Sequence, residues 1–546
     1  MDLNESPEHR AYRAKVRSWF EQHKPGPLET LEERRAWHRS LYDAGFVGMG
    51  WPKQYGGQEA SPIEQAIVGE EMARSGAPGT INGLGIGFIG PTLIAHGTDA
   101  QKERYVKKIL TAEELWCQLY SEPGSGSDLA SLKTTAVRDG DHYVVNGSKI
   151  FITNGGSASL LMLVVRTDPN DRKRGLSILM VETPDLKGYR VGRVLDKMGM
   201  RSQDTSELFF EDVRVPAANV LGEAGRGFKV AMEVLNNGRL GLAAGCVGGC
   251  RHLLKMATER VNERKAFGRP IAEFGMIKEK IARMSCETYA LESMTFLTTG
   301  LVDAGVHDYS IESAICKVFG SETLWMVVNE TLQIAAGIGF MEEYPYERLL
   351  RDARINLIFE GTNEILRAFI ALSGMQGPGQ QLVEVAKAMR EPIKGFGVLS
   401  EFALQRARSR FGRERLDKVH PALRKEAVLF EESAAELALA TERVLRKHGK
   451  DVHEKQFVQK RLAEFAVPHR GVAPHDGSHR PALDFVPGER RPGGSASDPF
   501  ILDHAFRLQI DNREVSVIAH RDAAFARDRE KTLRSGAGEI DEPRQA

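Results

Sequence analysis

Long hydrophobic runs are the first thing missing from these 546 residues. The longest, Leu160–Val165, falls far short of the roughly 20 apolar residues that a membrane-spanning helix needs. The first residues, MDLNESPEHRAYRAKV, hold no apolar core of the kind a secretory signal carries. Excess charge is missing too. Lys+Arg and Asp+Glu number 74 each, so no global field would hold a polyanion, and nucleic acid is not an expected partner. Cysteine is scarce: the five (Cys117, Cys246, Cys250, Cys286, Cys316) are odd in number and lack C-x-x-C spacing. Cys246 and Cys250, four apart in a helical pattern, suit small buried residues better than half a metal site. Together these absences lead us to expect a cytoplasmic chain in a reducing compartment. There is no internal repeat, and the length fits three or four domains at roughly 150 residues each.

What is present is a change of period along the chain. Up to about residue 115, apolar residues recur at helical spacing: Ala11, Val16, Trp19 and Phe20, then again over Pro62–Arg74 and Asp99–Leu110. From Cys117 the spacing shortens. Thr134–Val137, Tyr143–Val145 and Ile150–Thr153 read as strands joined by turns at Asp139-Gly140 and Asn146-Gly147. Leu160–Val165, Leu176–Glu182 and Leu208–Val215 continue an antiparallel unit. Long helical patterns return at about 227–262, 275–304 and 308–335, with a short one after Gly361, and short connections between long helices imply a bundle.

Five fragments then stand in order: Leu119-Tyr120-Ser121-Glu122-Pro123-Gly124-Ser125-Gly126-Ser127-Asp128, Phe151-Ile152-Thr153-Asn154-Gly155, Arg264-Lys265-Ala266-Phe267-Gly268, Gln333-Ile334-Ala335-Ala336-Gly337 and Phe359-Glu360-Gly361-Thr362-Asn363-Glu364-Ile365-Leu366-Arg367. In the last, a lone carboxylate sits between apolar Ile358-Phe359 and a glycine-led helix start. Partial desolvation there would make Glu360 basic enough to take a proton, although a glutamate near a helix N-terminus more often only stabilises the dipole. As a set the fragments resemble the acyl-CoA dehydrogenase family, flavoenzymes that oxidise acyl-CoA thioesters between the α and β carbons.

The resemblance implies an α+β multidomain fold. A helical N-terminal domain (1–116) precedes a central antiparallel β-barrel domain (117–226) and a four-helix bundle (227–380). It implies FAD as cofactor, with Glu360 taking the α-proton as the β-hydride passes to the flavin. Gln118, Leu119, Tyr120, Ser121, Ser127, Phe151, Ile152, Thr153, Thr362 and Glu364 match flavin-contact positions. Arg264, Phe267, Gln333 and Gly337 match positions that reach the FAD of a neighbouring subunit, hence a homodimer at least. Ser127, Asn236, Arg239 and Gly361 match substrate-binding positions. In some relatives the base sits on an earlier helix, at the place of Gly238, which carries no side chain to serve. Three departures stand out: Phe151 for a tryptophan, Ala266 for a glutamine and Ala336 for a glycine. Electrons are expected to pass to an electron-transfer flavoprotein, with an acyl-CoA oxidase or a catalytically idle scaffold as alternatives.

Residues 381–466 extend beyond the shared core. Phe430, Ala434, Leu437, Thr441 and Val444 form a helical stripe, and Phe457–Phe465 reads helical, as in the very-long-chain branch of the family. The first third looks more like a bacterial branch, and the glycine-rich Gly83–Gly90 suits a wide acyl channel. Val467–Ser497, rich in proline, glycine and histidine, reads as loop, and 467–546 as a poorly ordered tail. Between Lys387 and Lys425 basic residues outnumber acidic ones among Phe396, Leu399, Phe402 and Leu404. A solvated face is the default there, and peripheral membrane contact the sharper reading. Two patterns mislead. Gly85-Ile86-Gly87-Phe88-Ile89-Gly90 spells G-x-G-x-x-G without the preceding strand of a dinucleotide site. His469, His475 and His479 lack an ordered scaffold for a metal.

Overall fold

The computed structural model describes residues 6–171, 175–390, 416 and 419–470. Capping residues set the helix starts of the first third. Ser6 caps α1 (Pro7–His23), accepting from the His9 amide, and Thr30 with Glu33 forms a reciprocal box at α2 (Leu31–Asp43). After α3 (Pro62–Ser75), the misleading glycine pattern becomes a π-helical turn, Gly85–Ile89, running into α4 (Gly90–His96) and α5 (Asp99–Leu110).

The sheet that follows has seven strands: β1 (Trp116–Leu119), β2 (Thr135–Asp139), β3 (His142–Thr153), β4 (Leu160–Arg166), β5 (Leu176–Glu182), β6 (Tyr189–Val194) and β7 (Thr205–Pro216). Their order is β1-β4-β2-β3-β7-β6, with β5 on β4. Two expectations are corrected here. The unit is mixed, because β1 pairs parallel with β4, Trp116 opposite Leu160; the β2–β3 hairpin between them supplies the long connection that a parallel pair needs. Asn146-Gly147 is not a turn but an irregularity within one long strand. The Asn146 side chain holds it, exchanging hydrogen bonds with Asp212 of β7, 2.9 Å from its amide and 3.0 Å to its carboxylate.

The apolar runs 160–165 of β4 and 178–181 of β5 have a simple cause: both faces are covered. Leu160, Met162 and Val164 face the core of the N-terminal helices, while Leu161, Leu163 and Val165 face the interior of the sheet domain. Helices α6 (Gly227–Glu263), α7 (Gly275–Asp303) and α8 (Ser310–Ala335) then pack side by side, followed by α9 (Tyr346–Ala353), α10 (Asn363–Gly374) and α11 (Gln376–Arg390). Close approach relies on small residues. A Cβ on Gly320 of α8 would lie 3.4 Å from the Ala243 backbone of α6.

The extension supplies α12 (Arg424–His448) and α13 (Gln456–Arg470). Its apolar stripe packs on α10: Val452, Leu462, Ala463 and Val467 share one buried cluster with Leu366, Ile370, Ala371 and Met375. Residues 467–470 are therefore helical, not loop, because Val467 continues the buried stripe one turn beyond Ala463. Residues 471–546, with the rest of the expected loop and tail, lie outside the described residues, as does 391–415 of the basic stretch. Among the described residues no helix is long and apolar enough to cross a membrane.

Candidate active site

The carboxylate of Glu360 sits on a strained turn. Its φ is 57° and that of Gly361 is 92°, two left-handed residues in succession just before Thr362 caps α10. Two buried cations brace the turn. Arg239 Nε donates to the Glu360 carbonyl at 3.1 Å, and Lys317 Nζ donates to the Gly361 carbonyl at 2.8 Å. The side chain itself is only half-buried, but its Oε2 is fully enclosed and has no hydrogen-bond partner among the described residues. Burial pushes the carboxyl up to about 7, against the pull of Arg239 and Lys317. That oxygen lies against Gly238 of α6, where an added Cβ would stand 2.9 Å from it and 2.2 Å from Phe88 Cε1. The place left empty by Gly238 thus lies directly beside the Glu360 carboxylate. Gly238→Ala is expected to displace the carboxylate or the Phe88 ring and slow substrate oxidation about 100-fold, cofactor content unchanged, as read by stopped-flow absorbance.

Arg239 is buried, fixed by Asn236 Oδ1 at 3.0 Å, and lies beneath the turn. Asn363 completes the group. Its Oδ1 accepts from Lys317 at 2.8 Å, and its Nδ2 donates to Ser321 Oγ at 3.0 Å and Glu322 Oε1 at 3.1 Å. Lys317, Asn363 and Phe88 were missed by the sequence reading. The available signal was a lysine interrupting the apolar run Ala314-Ile315-Cys316-Lys317-Val318-Phe319, since lysine is almost never fully buried unpaired.

A second group gathers at the end of β1. Gln118 Oε1 and Tyr120 Oη are buried without hydrogen-bond partners among the described residues, and burial, with Glu360 adding to it, raises the Tyr120 pKa. The Leu119 and Ile152 side chains are turned into the sheet core, so only their backbone is available to a ligand. Glu122 shapes the loop that follows, accepting from the amides of Lys133 at 2.6 Å and Thr134 at 2.9 Å and from Lys149 Nζ at 2.9 Å. Ser121 accepts from the Ile150 amide, and Ser127 is exposed. Phe151 stands at a register shift of β3 with φ 62° and two-thirds of its surface open, an aromatic ring swung out by an irregular strand; Thr153 follows it. Thr362 uses its hydroxyl to cap the Ile365 amide, while Glu364 is exposed in the first turn of α10.

The third group is not brought to this place. Arg264 follows Arg239 by 25 positions along α6, roughly 37 Å along the axis. Phe267 is 94 % exposed on the hairpin beyond it. Gln333 and Gly337 are exposed at the far end of α8. Ala336 ends α8 with φ 55° and ψ −132°, a conformation natural to glycine. Ala336→Gly is therefore expected to stabilise the chain by about 1 kcal/mol, read as a higher denaturant midpoint.

Comparison with known proteins gives this geometry a context. Models of the N-terminal, middle and C-terminal domains of acyl-CoA dehydrogenase match residues 6–113, 117–213 and 225–375 in turn. Very long-chain specific acyl-CoA dehydrogenase, mitochondrial, of Homo sapiens is 40% identical over 458 residues, covering 81% of this chain and 68% of that one. Acryloyl-CoA reductase (NADH) of Anaerotignum propionicum is 39% identical over 343 residues, 62% of this chain and 86% of that one. Among solved structures, the acyl-CoA dehydrogenase complexed with FAD from Bacillus anthracis is similar with a TM-score of 0.70 at 29% identity, covering 86% of this chain and 81% of that chain. With all three domains matched in order, this chain belongs to the acyl-CoA dehydrogenase family, FAD-dependent oxidoreductases that act on acyl-CoA.

Proposed function

We propose that the protein dehydrogenates long-chain acyl-CoA thioesters between Cα and Cβ, with Glu360 as the base, and passes the electrons to an electron-transfer flavoprotein. The observation that carries this reading is the enclosed, unpartnered Oε2 of Glu360 against Gly238. A carboxyl raised to about 7 is matched to proton transfer near neutral pH.

The residues at the end of β1 fit FAD. Gln118 Oε1 and Tyr120 Oη are polar atoms without partners, Phe151 offers an aromatic wall, and Gly124 has open space around it. Bound FAD supplies the acceptor for the hydride leaving Cβ. Gln118 through Ser121, Ser127 and Phe151 through Thr153 would hold and orient it, together with Thr362 and Glu364. Asn236, Arg239 and Gly361 would hold the thioester, and Arg239 fixes the Glu360 carbonyl. Glu360 Oε2, enclosed and free of a hydrogen-bond partner among the described residues, would accept the α-proton of the bound thioester. The preference for long acyl chains is supported by the 40% identity to very long-chain specific acyl-CoA dehydrogenase of Homo sapiens. Arg264, Phe267, Gln333 and Gly337 stand too far from Glu360 to share its cofactor, which supports a homodimer in which they complete the neighbour's FAD site.

Anaerobic titration of the purified yellow protein with acyl-CoAs of increasing length tests the reading. Bleaching of the visible flavin bands, greatest with long chains, is the expected result, with light scattering giving at least a dimer. Rapid recolouring by oxygen would mark an oxidase instead. Absence of bound flavin, or bands that no acyl-CoA bleaches, would sink the proposal.

A further inference from the structure

Lys317 of α8 is fully removed from water. Its ammonium binds the Gly361 carbonyl and Asn363 Oδ1, each at 2.8 Å, while Arg239 of α6 binds the preceding carbonyl, that of Glu360. Consecutive carbonyls of one turn are each held by a buried cation from a different helix. The turn needs such holding, because a left-handed glutamate persists only where its surroundings over-determine it. Asn363 cannot swing away, since Ser321 Oγ and Glu322 Oε1 accept from its Nδ2 while its Oδ1 accepts from Lys317 at 2.8 Å, with Ser321 Oγ also 3.3 Å from that oxygen. Glu322 is anchored in turn by Arg367 at 2.8 Å. The result is a rigid brace from the middle of α8 to the first turn of α10.

We propose that Lys317 is a positioning residue for proton abstraction: it fixes the turn that aims Glu360, and its buried charge favours the ionised form of that carboxyl beside the enclosed Oε2. This rests on the reading of Glu360 as the base. Lys317 faces Glu360 on the turn, Arg239 and Cys246 on α6, and Glu322 on its own helix. Burial pulls it down to about 8, a shift that Glu360 opposes, so it stays protonated at neutral pH. Glu360 is faced by Arg239 and Lys317, with Tyr120 across the pocket. Without the Lys317 charge, burial of the carboxyl is opposed by Arg239 alone, and its protonated form persists to higher pH. Without the hydrogen bond, the Gly361 carbonyl is released and the carboxylate loses its aim at every pH. A lysine that only filled space would have neither effect, because methionine keeps its unbranched stem.

The test compares Lys317→Met and Lys317→Arg holoenzymes with the parent. Flavin content and thermal midpoint establish folding. The rate of flavin reduction by saturating acyl-CoA is followed from about pH 6 to about pH 9. Titration of the Glu360 carboxyl band in the infrared, assigned by its loss in Glu360→Gln, reads the same group without turnover. For Lys317→Met we expect full flavin content, a plateau rate at least about tenfold lower, and both the acid limb and the infrared midpoint displaced upward by about one pH unit. Lys317→Arg, keeping the charge, is expected to restore the limb. An unmoved limb and midpoint in Lys317→Met would overturn the proposal. If that variant does not fold, Lys317→Gln decides, since its amide can still donate to Gly361 and the displaced limb must remain. A parent protein whose flavin no acyl-CoA reduces is a different outcome, one that removes Glu360 as base.

Discussion

Glu360→Gln is expected to retain FAD and bind acyl-CoA while its flavin reduction falls by roughly 10³-fold or more. The amide has the same shape and fits the same place against Gly238, but it cannot accept the α-proton. No second carboxylate is available at the earlier helix position, which Gly238 occupies without a side chain. In the parent the sign of the pH dependence follows from the raised carboxyl. Below about 7 the base is protonated and idle, and the rate climbs to a plateau as pH rises past that value. The acid limb should be missing from the residual rate of Glu360→Gln. Stopped-flow traces across pH decide the matter, and a variant reducing its flavin within tenfold of the parent would place the base elsewhere.

Lys149→Met is expected to be the most damaging change outside the catalytic turn. Lys149 is fully buried on β3, its ammonium between Glu122 Oε1 at 2.9 Å and the Tyr120 carbonyl at 3.1 Å. Burial pulls it down to about 8; burial alone would raise Glu122, but Lys149 and the amides of Thr134 and Lys133 hold that carboxyl below its ordinary value. Removing one partner of such a pair strands the other charge and destabilises by about 3–5 kcal/mol. Here the stranded carboxylate also shapes the loop carrying Tyr120, Ser121 and Ser127. The variant should therefore melt earlier and lose FAD on dilution, as seen by flavin fluorescence. Adding Glu122→Gln should recover part of the loss, a coupling that a double-mutant cycle isolates. Additive effects of the two changes would mean that the pair does not act as a unit.

The contrast between these sites and the helices around them shows what a linear sequence exposes. Helix starts were legible because their causes are local: the Thr98–Gln101 box opens α5 where the apolar period begins. The Glu360 turn was legible because an unusual string carries it. The pairing of β1 with β4 was not, since strand direction depends on a partner 44 residues away and leaves no trace in either segment. Asn146-Gly147 misled for the opposite reason. The dipeptide does demand a special backbone, but Asp212 on another strand turns that demand into an irregularity instead of a reversal. Lys317 and Lys149 look like any solvated lysine until the glycines and carboxylates around them are assembled. Arg264 stands far from Arg239 because 25 positions along α6 separate the two.

The docking of α13 on α10 bears on how the molecule is made. Leu366, Ile370, Ala371 and Met375 follow the Glu360 turn, yet their partners Leu462, Ala463 and Val467 are synthesised nearly a hundred residues later. At about 5–20 residues per second, that interval is on the order of 5–20 s. During it the newborn turn has its cations in place but one greasy side of α10 uncovered. The stretch between them therefore acts as a delay line: the apolar face of α10 must be kept from sticking to its neighbours until α13 has been made.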